Sequence, residues 1–207
     1  GNTDFAGALR LLQPAIGASA IYAFVASLLL VWFGFLFAWL AERENRRLIN
    51  VVLLMIFGIP ATVLGVALLR FYNTASLDIV YSSFWIIVIA YLGRFIFITE
   101  KLIANGIGQI PRSLEEAADL LGASFFRKIT RINIPLLAQS LFGAFLIAFI
   151  FSLNEVAAVM LVYPPGSSLM PVKVFTIMAN APLHLTSALS LIQLLETLGL
   201  IGLLFWF

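Results

Sequence analysis

The chain has 207 residues, 62% hydrophobic and 11% charged, with a mean hydropathy of +1.08. A soluble domain needs roughly 25% charged residues to wet its surface, so this composition excludes a water-soluble globule and makes the bilayer the solvent. The net charge of +2 is too small to point to nucleic acid, the lack of cysteine excludes disulfides and thiolate metal sites, and one histidine, His184, leaves little room for imidazole chemistry.

A membrane helix needs about 20 mostly apolar residues to cross about 30 Å of hydrocarbon, and five runs satisfy this. The first, at 15–40, lies inside a charge-free stretch, and the second, at 48–69, is also uncharged. The third, at 79–99, is interrupted only by Arg94. The fourth, at 135–162, carries Glu155 late, and the fifth, at 186–207, carries Glu196. None shows the period-two alternation of a barrel strand. The expected fold is all-α, a polytopic helical bundle forming one membrane domain over 1–207. A cleavable signal peptide is not expected, because the first apolar run is too long and lacks a basic leader. The abrupt opening at Gly1 and the end at Phe207, inside an apolar run, are read as those of a fragment of a longer protein.

Orientation follows from basic residues, which concentrate on the cytoplasmic side. "ERENRRLIN" after the first span holds Arg43, Arg46 and Arg47. The stretch between the third and fourth spans holds Lys101, Arg112, Arg127, Lys128 and Arg131. Two crossings separate these stretches, so they share a side, and the opposite loops offer only Arg70 and Lys173. The eight-to-two imbalance places the basic stretches in the cytoplasm and the first residues outside, with at least one helix expected upstream.

Residues 100–134 read as a polar cytoplasmic insertion. Pro111 ends what precedes it, and Ser113 with Glu116 fits an S-x-x-E capping box. Glu115, Glu116 and Asp119 place negative charge near a helix start. Leu114, Ala117, Ala118 and Leu121 recur at helical spacing as one apolar face. Gly122 suits a left-handed helix end, Ser124 a second cap before a helix over 125–133, and Pro135 the launch of the fourth span. An interfacial amphipathic connector would give a similar outline. Such anchors carry bulky apolar residues and basic flanks, however, whereas this helix offers alanines and acids.

Glu116-Ala117-Ala118, three residues, Gly122, nine residues, Ile132, one residue, Ile134, Pro135 resembles the EAA motif of ABC importer permeases. Six of the seven motif positions match, and Ile134 stands where the family has leucine. The resemblance extends to the helix layout around the motif and implies a type I importer permease of a bacterial or archaeal cytoplasmic membrane. It implies that 100–134 is a coupling loop docking on a separate ATPase dimer. There Glu116, flanked by Glu115 and Asp119, would meet a basic group, Ala117 and Ala118 would allow close approach, and Gly122 would form the turn. Ile132 and Pro135 complete the motif. No Gly-Lys-Ser/Thr triplet occurs, so ATP and Mg²⁺ are expected in the partner and no cofactor in this chain. A second permease unit, homodimeric or fused, and an extracytoplasmic solute-binding protein are further implied partners.

Other features carry weaker readings. Gly106-x-Gly108 lacks the third glycine of a dinucleotide fingerprint and is read as a loop turning before the coupling helix. Asn154, Glu155, Gly58 and Pro60 are the translocation-pathway candidates: ionisable groups in apolar spans usually face a bundle interior or a wet cavity, and Gly58 and Pro60 are expected to kink the second span. Alternatively, Glu155 and Glu196 simply pair with Arg94, Arg70 or the lipid interface. "YPPGSSLMPVKV" is a turn-rich outer loop with a short amphipathic continuation to about Asn180, either a connector or a contact surface for the binding protein. The run "NEVAAVMLVYPPG" resembles ferric-iron permeases, and less closely thiamine and phosphonate ones, with polyamines a further alternative. An ion-driven secondary transporter using Glu155, Glu196 and Arg94 is the competing class. An intramembrane hydrolase lacks its signatures.

Overall fold

The computed structural model describes residues 5–44, 46–164, 166–167, 169–178 and 182–206, with the side chain of His184 outside that description. Every regular element among them is helical. In chain order these are α1 (Phe5–Glu42), α2 (Arg47–Phe57), α3 (Ala61–Tyr72), α4 (Asp78–Tyr81), α5 (Trp85–Gln109), α6 (Arg112–Leu120) and α7 (Phe125–Lys128). A π turn over Ile129–Asn133 leads into α8 (Ile134–Leu136), followed by α9 (Ala138–Asn154), α10 (Val159–Val162), α11 (Met170–Met178) and α12 (Leu183–Trp206).

Three of the five expected spans are unbroken helices, the first, third and fifth. Within α1 and α12, Leu12–Glu42 and Leu185–Leu203 are each long and apolar enough to cross a membrane. The second and fourth spans are not straight rods: α2 and α3 meet at 94°, and the helix over Phe125–Leu136 meets α9 at 71°. The third begins at Trp85 and runs 25 residues to Gln109, about 37 Å at 1.5 Å per residue. It thus takes in Glu100 and Lys101, which hydropathy alone places in the insertion.

α5 is the central rod, flanked by α1 and α9. Its Ile86, Ile87, Tyr91, Ile103 and Ile107 are fully or almost fully buried. Lipid is as apolar as leucine, so close helix contact comes from small residues that let backbones approach. A Cβ on Gly34 of α1 would sit 3.1 Å from Thr99 Cγ2, and one on Gly106 of α5 would sit 2.7 Å from Ser140 Cβ and collide with Ser140 Oγ. Both Gly106 and Gly108 lie inside α5, which corrects their reading as a loop. Gly106 is there for contact with α9, whereas Gly108 faces open space. Gly106→Ala is therefore expected to lose about 1–3 kcal/mol through overpacking. Gly108→Ala should be neutral or gain up to about 1 kcal/mol by relieving helix-interior glycine entropy. Thermal unfolding in detergent should show a lowered midpoint for Gly106→Ala and no lowering for Gly108→Ala.

At the other end of the bundle, Leu12 and Ala15 of α1 pack with Met170 and Val174 of α11 and Leu189 of α12. Ser19 Oγ accepts the Met170 N–H at 2.7 Å, satisfying one of the orphan donors at the start of α11. The expected amphipathic continuation after the outer turn is this helix. Pro165, Ser168 and Asn180 lie outside the described residues, and Gly166 takes a left-handed φ of 83°.

Candidate functional site

Two places carry polar chemistry. The first is the hairpin built by α6, the Gly122 turn and α7. The helix starts at Arg112 with Pro111 as its N-cap and no side-chain capping bond, so the Ser113–Glu116 capping box does not form. Proline already supplies the extended cap conformation (φ −61°, ψ 134°). The helix end follows expectation. Gly122 has φ 72°, its N–H donates to Asp119 O at 2.9 Å, and Ala123 N–H donates to Ala118 O at 2.9 Å, the paired bonds of a Schellman turn. Ser124 Oγ then accepts from Arg127 N–H. The second helix passes through the π turn to Leu136. Pro135 consequently lies near its end and does not launch the span, which starts after the bend at Leu137. Ile132 is half-buried and Pro135 exposed.

The hairpin is braced from one side only. Arg43, just past α1, forms an ion pair with Glu115 at 3.0 Å. The same Arg43 Nη2 donates to the Ile107 and Ile110 carbonyls at 3.3 and 3.0 Å, and its guanidinium lies 5.9 Å from the Trp39 ring centre. One arginine therefore satisfies carbonyls at the end of α5 while holding the start of α6. Arg112 Nη2 donates to the Glu42 carbonyl at 3.0 Å. Lys128 and Asp119, 2.6 Å apart, tie the two arms together across the turn. These contacts also show that the two basic stretches lie at the same end of the bundle.

The outward face has no such partners among the described residues. Of the expected apolar face only Ala118 is buried. Glu116 and Ala117 are exposed, and Leu120, Leu121 and Phe126 are 91%, 87% and 75% exposed. The tip thus presents an acid, Glu116, beside bare leucines, Leu120 and Leu121.

The second place lies within the spans. α9 stops at Asn154 because Glu155 turns extended (φ −76°, ψ 110°). Its Oε1 accepts the Ala158 N–H at 2.9 Å, and its Oε2 faces Arg94 Nε at 3.5 Å. Arg94 reaches the other way as well, donating through Nη1 to the Ile59 carbonyl at 3.4 Å. Ile59 lies between Gly58 and Pro60, where the second span breaks. Pro60 supplies that break as the N-cap of α3, with φ −56° and ψ 142°. Gly58 has an ordinary helical φ of −65°, so the bend does not depend on its being glycine. The two broken spans also touch directly: a Cβ on Gly65 of α3 would lie 2.9 Å from the Ala158 carbonyl. Arg94 thus links the break in the second span to the end of α9, pairing with Glu155 as the simpler reading expected.

Asn154 points elsewhere. Its Nδ2 donates to Ile150 O at 2.8 Å and approaches Thr197 Oγ1 at 3.3 Å, while Gln193 Nε2 donates to its Oδ1 at 3.1 Å. This polar clasp joins α9 to α12. Glu196, next to Thr197, is half-buried and has no ion pair among the described residues. Sequence reasoning missed Arg43, counted only as a positive-inside charge. It also missed Gln193 and Thr197, although their i, i+4 spacing in an apolar span was a usable signal. Glu100 was missed as well: its side chain is 0% exposed, its oxygens accept no hydrogen bond among the described residues, and Lys101 Nζ lies 3.3 Å from Oε2. No metal-holding group of His, Cys, Asp or Glu occurs among the described residues.

An all-helical bundle with several candidate spans and a braced hairpin beyond them is the architecture of a polytopic membrane protein. The chain belongs to the family of binding-protein-dependent transport system inner membrane components, which it matches over residues 30–206. It is 26% identical over 188 residues to PhnV of Salmonella typhimurium, a protein named for 2-aminoethylphosphonate transport, with 89% of this chain and 70% of PhnV covered. It is 30% identical over 149 residues to the ferric transport system permease FbpB of Actinobacillus pleuropneumoniae, covering 70% of this chain and 22% of FbpB. Similarity to a protein of Prototheca wickerhamii named for sulfate transport, cysT, is 28% over 163 residues, covering 72% and 63% of the two chains. The fold resembles a bacterial alginate ABC transporter solved in complex with a pentasaccharide-bound periplasmic protein, with TM-score 0.73, 12% identity and coverage of 95% and 76%. The chain is an inner-membrane, multi-pass transport protein.

Proposed function

We propose that this chain is the permease subunit of an ATP-driven importer, coupled to a separate ATPase dimer through α6 and the Gly122 turn. The observation that carries the reading is the exposed tip of Glu116, Leu120 and Leu121 on a hairpin braced to α1 and α5. Movement of a docked ATPase would pull on Arg43 and Glu115, and so on the two longest helices of the bundle. A rigid lever of this kind turns subunit closure into a change of access. The hairpin faces the cytoplasm in this reading, and ATP and Mg²⁺ sit in the partner. A second permease unit completes the pathway beside Glu155, Asn154, Gly58 and Pro60. A solute-binding protein docks on the outer loop before α11; the alginate transporter of similar fold was solved in complex with a periplasmic protein. Ferric iron is the proposed cargo, supported by FbpB; phosphonate, supported by PhnV, is the principal alternative, with thiamine and polyamine less favoured.

Glu196, half-buried without an ion pair among the described residues, and the two broken spans favour one other reading, an ion-driven secondary transporter. Proteoliposomes separate the two. With an ATPase and a loaded binding protein added, uptake should require ATP, and a ferric-loaded binding protein should stimulate hydrolysis more than a phosphonate-loaded one. Uptake by this chain alone under a proton or sodium gradient would overturn the importer reading.

A further inference from the structure

A cleft of about 890 Å³ opens between the second half of α1, α2 and α5, walled by Phe33, Phe37, Val52, Ile56, Leu92 and Ile96. Among the described residues, its charged lining is Arg46 and Arg47, where α2 begins. Arg46 is shared with Glu44 at 3.2 Å, an ion pair in which both side chains are well exposed (66% and 45%); it is therefore weak and open to exchange. From Arg47 to Ile56 the helix rises about 14 Å at 1.5 Å per residue. That is close to one leaflet of a bilayer whose hydrocarbon is about 30 Å thick. With α2 along the membrane normal, the arginines stand at headgroup level, on the side to which the basic stretches assign the cytoplasm. The apolar walls end where α2 breaks, near mid-membrane.

We propose that this cleft is a binding site for one anionic phospholipid of the cytoplasmic leaflet, its phosphate held by Arg46 and Arg47 and its acyl chains laid along α1, α2 and α5. The volume lies in the range of small-molecule sites, about 300–1,000 Å³, and basic pockets between membrane helices hold anionic headgroups. A second copy of this chain fits the face less well. Two-fold pairing through the cleft would bring Arg46 and Arg47 of each copy towards their own counterparts. The ATPase surface is excluded by position, because the bare leucines that would meet it lie on α6.

The test uses the full transporter, purified from nanodiscs of phosphatidylcholine mixed with phosphatidylglycerol, with retained lipids counted by native mass spectrometry. About one factor of five per arginine predicts a preference of about 20- to 30-fold for phosphatidylglycerol. Arg46→Gln/Arg47→Gln should abolish that preference, and Val52→Trp, which fills the cleft and leaves both charges, should abolish retention. Equal retention of the two lipids by the wild-type complex overturns the proposal. So does unchanged preference in the double arginine variant. The chain has no cysteine, so Val52→Cys gives a clean third measurement. Oxidative cross-linking between two copies through that position would assign the cleft to a subunit interface and overturn the lipid site.

Discussion

Replacing Leu120 and Leu121 together by aspartate is expected to cost the transporter its ATPase while leaving the membrane bundle folded. Both side chains are about nine-tenths exposed, so nothing in the chain itself depends on them. Full burial of a leucine contributes about 1.5–3 kcal/mol, and partial burial of two at an interface centre still amounts to about a hundredfold in affinity, since about 1.4 kcal/mol is tenfold. Co-purification of the ATPase with the variant should fail, and substrate-stimulated ATP hydrolysis should vanish. Glu116→Ala/Gly122→Val tests the same surface through its charge and its turn. At φ 72° a residue with a Cβ is disfavoured by about 1–2 kcal/mol, and a β-branched one by more, so the tip is displaced as well as discharged. Arg43→Gln separates docking from transmission: the tip is untouched, so the ATPase should still bind, but the link to α1 and α5 is loosened and hydrolysis should run without transport. Wild-type stimulation in the double-aspartate variant would remove α6 from the coupling path.

The hairpin was legible because its information is local. A glycine at a helix end, a serine three residues before Arg127 and an acid-alanine stretch all act on their own neighbours. Its brace was not legible, because Arg43 meets Ile107 and Ile110 from 64 and 67 positions away, and nothing in "ERENRR" distinguishes an anchoring arginine from a solvated one. The same holds inside the membrane. Hydropathy over a window of about 20 residues finds apolar runs but averages away a single turn: Gly58 and Pro60 announce a kink in the second span yet not its 94°, and the end of α9 at Glu155 sits within a stretch that reads as continuous. The capping box failed for a different reason. S-x-x-E describes two side chains that can cap, but Pro111 opens the helix earlier, and it is Glu115, not Glu116, that Arg43 claims. For Gly106 the residue alone does not say whether it serves a turn or a contact; only Ser140 across the interface decides that.

Arg94 and Glu155 should behave as a pair in stability and as separate parts in transport. Glu155 is 9% exposed and Arg94 20%, and removing one partner of a buried pair leaves an uncompensated charge that costs up to about 3 kcal/mol. Arg94→Met strands the carboxylate and should lower the thermal midpoint most. Glu155→Gln should lower it less, because the amide oxygen can still accept the Ala158 N–H that leads into α10. Combining the two removes both charges, and the double variant should recover most of the lost stability. Transport should not recover with it. A methionine in place of Arg94 offers no donor to the Ile59 carbonyl, so the break in the second span is no longer tied to the end of α9. The expected result is a complex that is stable, binds its ATPase and hydrolyses ATP, yet moves substrate at a small fraction of the wild-type rate. Wild-type transport by the double variant would show that the pair merely balances charge, and that the two broken spans move without reference to each other.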